Sequence, residues 1–170
     1  YKRSLMKLSR NTFIILLIVI NIALDQITKI LVRLYVTPGS ETPIIGDLFT
    51  LHNVENTGAF LGMGSDLNPT LKLIFLLILP ILVLGYVTIH IIKNKTLDRL
   101  SLIGFCCIVG GGIANVYDRI VYGSVTDFFH IDLGGVFRTG IFNLADMSVM
   151  LGLGLLLYAG FKNKKETENA

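Results

Sequence analysis

Four separate stretches of this chain are apolar for about twenty residues each, the length an α-helix needs to cross the hydrocarbon of a bilayer. They run from about Thr12 to Leu34, Leu71 to Ile92, Leu100 to Val121 and Ile141 to Phe161. Within lipid, every backbone N–H and C=O must be satisfied by the protein itself, so such stretches fold as helices and pack as a bundle. Composition agrees. Only 16% of the 170 residues are charged and 52% are hydrophobic, against ~25% charged in soluble domains, which leaves too little polar surface to coat a globule in water. The same wealth of Leu, Ile, Val and Phe excludes a disordered chain. The expectation is an all-α membrane protein, one integral domain over 1–170 with four transmembrane helices. A basic arm precedes the first stretch, as in a secretory signal. That stretch outruns signal length and no small-residue cleavage site follows, so it reads as a retained span.

Charge sets the orientation. Ten of the 15 Lys and Arg residues lie in the N-terminal arm (Lys2, Arg3, Lys7, Arg10), the loop between spans 2 and 3 (Lys93, Lys95, Arg99) and the tail (Lys162, Lys164, Lys165). The positive-inside rule then puts both termini in the cytoplasm. The loops over about 35–70 and 122–140 face outward, and chemistry carried by them works at the outer leaflet. A net charge of +3, with no basic run interleaved with aromatics, argues against nucleic acid as a partner.

The outer loops carry β-forming residues. Leu48 to Val54 reads as a strand, and Phe128–Leu133 and Val136-Phe137 flank Gly134-Gly135 as a hairpin would. Together they predict a small extracytoplasmic sheet. Gly58 to Asn68, with Phe60, Leu61, Met63 and Leu67, is expected to lie flat as a short interfacial helix.

Ionisable groups at membrane depth call for a reason. Asn21, Asp25 and Lys29 stand four residues apart on one face of span 1. Asp25 and Lys29 read as an ion pair that ties the bundle together, with a direct chemical role as the alternative. Span 3 ends Gly110-Gly111-Gly112-Ile113-Ala114-Asn115-Val116-Tyr117-Asp118-Arg119. Its small residues admit a neighbouring helix closely. Asn115, Asp118 and Arg119 share a face, and Asp118 beside Arg119 is expected to stay ionised and pin the outer end of the span.

Asp127 and Asp146 differ. Asp127 sits among apolar residues in Val125-Thr126-Asp127-Phe128-Phe129, and Asp146 one turn into span 4 in Phe142-Asn143-Leu144-Ala145-Asp146-Met147; neither has a basic neighbour in sequence. Two desolvated carboxyls brought together tend to share one proton, so that one activates water while the other donates a hydrogen bond to a carbonyl. An ion or proton relay in a small transporter or channel component is the alternative use of paired membrane acids. Other chemistries lack their parts. His52, His90 and His130 are not at metal-ligand spacing, no Gly-x-Ser-x-Gly elbow is present, and the adjacent Cys106 and Cys107 lie in mid-span, where a thiol stays protonated.

These motifs resemble those of the lipoprotein signal peptidase (signal peptidase II) family. The resemblance rests on Asp25-Gln26-Ile27-Thr28-Lys29, Asn56-Thr57-Gly58-Ala59-Phe60, the glycine-rich end of span 3, and the segments around Asp127 and Asp146, in the family's order and over nearly the whole chain. It implies a four-helix bundle with an extracytoplasmic β-cradle in the bacterial inner membrane. It further implies an aspartic endopeptidase that cuts prolipoproteins just before a diacylglyceryl-modified cysteine. Asp127 and Asp146 take the catalytic positions, and Asp25, Lys29, Asn56, Gly111, Asn115, Asp118, Arg119 and Asn143 the supporting ones; Asn56 and Gly58 belong to the loop expected to line the substrate entrance. No metal or cofactor is implied. The expected partners are the lipidated precursor and membrane lipids, and nothing in the sequence demands more than a monomer. The chain departs from the family at Ala59-Phe60, where many members carry two alanines before the aromatic. It also has Ala114 where glycine is common and Met147 where serine is frequent.

Overall fold

The computed structural model describes residues 8–59 and 62–168. Among them four helices are long and apolar enough to cross a membrane. The first is α1 (Arg10–Tyr35). The second span, Pro69–Lys93, joins α2 (Pro69–Lys72), a π-helical turn (Leu73–Ile78) and α3 (Leu79–Lys93); the others are α4 (Arg99–Tyr122) and α5 (Leu144–Glu168). The first three match the expected spans to within two residues. Their starts are capped by the residues that precede them. Ser9, Asn68 and Asp98 accept from the N–H groups of Thr12, Leu71 and Ser101, supplying acceptors that a helix start lacks. The π turn lies just before Pro80. A proline has no N–H to donate, and its ring crowds the carbonyl four residues back. The ladder therefore slips by one, with Leu79 N–H reaching Ile74 O. Of the basic arm, Lys2, Arg3 and Lys7 lie outside the described residues.

The fourth span corrects the sequence expectation. It begins at Leu144 rather than Ile141, because Phe142 exchanges backbone hydrogen bonds of 2.8 and 2.9 Å with Phe129, and a backbone held in a strand-like bridge is not helical.

Helix α4 is the centre of the bundle: half of its apolar window is buried, against 6–17% in the other three spans. Its three consecutive glycines show why. A Cβ on Gly110 would meet Asn21 Cβ on α1 at 2.7 Å, one on Gly111 would collide with Ala145 O on α5, and one on Gly112 would meet Leu84 Cδ2 on α3 at 2.5 Å. Successive helix residues point about 100° apart, so three adjacent glycines seat three different neighbours.

The sheet is β1 (Glu41–Ile45), β2 (Phe49–Asn56) and β3 (Val125–Ile131), antiparallel in that order. Strand β3 follows directly from α4, which stops at Gly123 in the left-handed conformation (φ +75°). Gly134 and Gly135 turn the chain at positive φ. The arm after them is no named strand, yet the hairpin closes: Asp132 and Arg138 form an antiparallel bridge, Leu133 N–H donates to Phe137 O at 2.8 Å and Thr139 N–H to Ile131 O at 2.9 Å. Over the expected interfacial helix, 58–68, Gly62 is 3₁₀-helical and 63–66 are turns, with Gly62 and Gly64 at φ +76° and +75°; Phe60 and Leu61 lie outside the described residues.

Candidate active site

The site grows from the first turn of α5. Asn143 precedes this helix, and its Oδ1 accepts from Asp146 N–H at 2.9 Å while its own N–H donates to Asp146 Oδ2 at 3.2 Å. This reciprocal pair is a capping box, so Asp146 is oriented by the helix start itself. The cap leaves the Asn143 amide nitrogen free to work elsewhere. It donates to Asp127 Oδ1 at 2.6 Å and to Asn115 Oδ1 at 3.2 Å. One fully buried amide thus connects both acids that the sequence marks as exceptional.

Asp127 arrives from the sheet. It stands opposite Val54 in the β2–β3 pairing, and its second oxygen accepts from Asn56 Nδ2 at 2.8 Å. Asn56 is fixed in turn by Gly58 N–H, which donates to its Oδ1 at 2.8 Å. Gly58 has no left-handed backbone angle; a Cβ there would meet Gly62 O at 2.6 Å, so glycine is needed for close passage of the loop over itself. Burial pushes the Asp127 carboxyl up to about 6. The charge of Asp146 adds to the rise, and the hydrogen bonds from Asn56 and Asn143 oppose it.

Behind the pair lies Lys29, fully buried. Its ammonium meets Asp25 and Asp118, each at 2.7 Å, and Asn115 Oδ1 at 2.8 Å. An ammonium has three donors and no acceptor, and three oxygens surround it here. Its bond to Oδ1 turns the other end of the Asn115 amide toward Asp146, where Nδ2 donates at 2.9 Å. Asp25 also accepts from Ala145 N–H at 2.8 Å, satisfying another donor at the start of α5. The expected Asp25–Lys29 tie is present and reaches Asp146 through Asn115.

One expectation is corrected. Asp118 does not pair with Arg119. Its oxygens meet Lys29, Gln26 at 2.9 Å and Arg33 at 3.7 Å. Arg119, its neighbour in sequence, points to a different side of α4 and donates to Gly58 O at 2.8 Å. The cation nearest in sequence is not the nearest in space, because adjacent helix residues diverge. Arg119 lies within electrostatic reach of Asp146 and Asp127.

Two openings reach the acids. A cavity of about 270 Å³, lined by Asn56, Thr57, Ser65 and Ile141 among others, opens on Asp127. A groove of about 410 Å³, walled by Phe137, Phe142, Met147 and Met150 with Arg138 and Thr139 beside them, opens on Asp146.

Comparison with known proteins decides the family. The sequence profile described as signal peptidase (SPase) II matches residues 17–162.

The chain belongs to the signal peptidase II family.

The lipoprotein signal peptidase of Borrelia hermsii (strain HS1 / DAH) is 34% identical over 96% of this chain and 99% of its own. That of Pelodictyon phaeoclathratiforme (strain DSM 5477 / BU-1) is 39% identical over 87% and 88%. A solved bacterial membrane enzyme superposes with a TM-score of 0.79 at 26% identity, covering 91% of this chain and 90% of that one. As a signal peptidase II, the protein is a multi-pass membrane protease. The transporter alternative expects acids spread across bilayer depth, whereas Asp25, Asp118, Asp127 and Asp146 are linked in one cluster with Lys29.

Sequence reasoning missed five supporting side chains. Arg33 donates through Nε to Thr126 Oγ1 at 2.7 Å and lies 3.9 Å from the ring centre of Tyr122. Thr126 donates to Glu55 at 2.7 Å, and Ser124 also binds Glu55. Gln26 holds Asp118. Arg33 alone had a signal, since it continues the four-residue spacing of Asn21, Asp25 and Lys29. The others depend on contacts between distant segments.

Proposed function

We propose that this signal peptidase II is an aspartic endopeptidase that removes the signal peptide from diacylglyceryl-modified prolipoproteins, cutting just before the lipidated cysteine. Asp127 and Asp146 hold and activate the attacking water. The observation that carries the reading is the Asn143 bridge: its amide binds Asp127 while its backbone and side-chain oxygen box in Asp146. Such a link holds two carboxyls from separate segments in one register, the preorganisation that water activation needs. A carboxyl raised to about 6 by burial suits a pair sharing one proton, with the ionised member as base and the protonated one donating to the scissile carbonyl. Asn143 is also the candidate donor to the tetrahedral oxyanion.

The two openings fit the two halves of the substrate's reacting residue. The cavity on Asp127 offers Glu55, Asn56, Thr57 and Ser65 to a polypeptide beside apolar Val54 and Ile141, and the groove on Asp146 offers Phe137, Phe142, Met147 and Met150 to acyl chains. Acyl chains are already out of water in the bilayer, so the groove places the cysteine rather than supplying hydrophobic affinity. With both termini cytoplasmic by the positive-inside rule, the sheet and dyad stand at the outer leaflet. Purified enzyme in nanodiscs should shorten a diacylglyceryl-modified precursor and leave the unmodified one intact. Equal cleavage of the two would refute the lipid requirement, and cleavage of neither would refute the function.

A further inference from the structure

A third cavity, of about 270 Å³, lies between the π-helical turn of the second span and α4. Leu73, Leu76 and Leu77 form its apolar wall, and Thr57, Lys72 and Arg119 supply its polar groups. No acidic side chain lines it among the described residues. Lys72 Nζ stands 3.4 Å from Thr57 Oγ1. Arg119 spends its two terminal nitrogens on the carbonyls of Gly58 and Asn115, while its buried Nε has no acceptor among the described residues. A buried donor without a partner is unfavourable by itself, and the guanidinium that carries it belongs to a residue lining a cavity with a second cation. Thr57 lines both this cavity and the one that opens on Asp127.

The reaction supplies an anion at that place. Water oxygen bonds to the scissile carbonyl carbon, the C–N bond breaks, and one proton leaves with the amine. The signal peptide then ends in a carboxyl that ionises, formed beside two aspartates whose charge repels it. We infer that this cavity is a carboxylate-binding site in which Lys72 and Arg119 receive the new C-terminus of the cleaved signal peptide. A guanidinium and an ammonium are suited to bind it through charge-assisted hydrogen bonds, and the leucine wall accommodates the apolar peptide behind it.

The inference rests on the peptidase reading, and one set of nanodiscs tests the two separately. Signal peptides ending at the residue before the cysteine are titrated as free acid and as carboxamide onto enzyme in zwitterionic discs, with cleavage of lipidated precursor followed alongside. The acid should bind about tenfold more tightly than the amide, the worth of one hydrogen bond to a charged group. Lys72→Met should remove most of that preference and leave the amide affinity unchanged, and Lys72→Arg should restore it. Active enzyme that binds acid and amide equally, or keeps its preference in Lys72→Met, sinks the inference and spares the peptidase reading. Lys72-dependent retention of an anionic phospholipid in place of the acid preference would reassign the cavity to a headgroup phosphate and likewise overturn it. Absence of cleavage sinks both.

Discussion

The two ends of the bundle are held together by different forces. At the end away from the sheet, Ile14, Ile91, Leu102 and Cys106 form an apolar cluster with Phe13, Leu17, Val87 and Phe105 around it. At the sheet end the contacts are polar: Lys29 between two carboxylates, Asn115 and Asn143 between Lys29 and the dyad, and Asp25 on the start of α5. In lipid, apolar side chains gain little by leaving the bilayer for a neighbouring helix, so the first end relies on shape and dispersion. At the second end each polar group would be left unsatisfied in hydrocarbon if its partner moved, which makes that arrangement specific and intolerant of loss. Groups that activate water need such fixed positions, and the proposed catalytic pair sits at the polar end.

The largest effects should appear there, and in function before stability. Asp127→Asn and Asp146→Asn should each lower cleavage of lipidated precursor by about 10²–10⁴-fold while far-UV circular dichroism and elution volume stay unchanged. Wild-type rates in either variant would remove the acid from the chemistry. Lys29→Met should lower unfolding free energy by about 3–5 kcal/mol, because two buried carboxylates lose their cation; denaturation in mixed micelles reads this. A variant as stable as wild type would erase the distinction between the two ends.

Proton linkage sharpens the comparison further. The folded Asp127 carboxyl, raised from 3.8 to about 6, binds more protons than the unfolded one between those values. Its contribution therefore favours folding at low pH and is lost as pH rises from about 4 to 6, a change on the order of 3 kcal/mol at most. Asp127→Asn lacks this dependence, so its melting temperature should gain on that of wild type across this window and run parallel above it. A gap independent of pH would contradict the desolvation of Asp127. The smallest effect belongs to the apolar end. Ile91→Ala should reduce stability by about 2 kcal/mol through the cavity it leaves, with the rate per folded molecule unchanged. A loss of specific activity there would show that the two ends are mechanically coupled.

By itself the sequence determined what belongs to local and periodic physics. Four apolar stretches of bilayer length could fold only as helices, and the stripe Asn21, Asp25, Lys29 had to share a face. The motifs also carried the family, and with it the expectation that Asp127 and Asp146 are the acids of interest. What only the tertiary structure decided were the pairings across segments. It gave Asp118 to Lys29 rather than Arg119, delayed α5 to Leu144 by engaging Phe142 with β3, and distributed three adjacent glycines among three helices. It also made Asn143 at once a helix cap and the bridge between the carboxyls. Such choices escape a linear reading because the direction of a side chain depends on helix phase, and its partner on whichever distant segment the packing brings within hydrogen-bond distance.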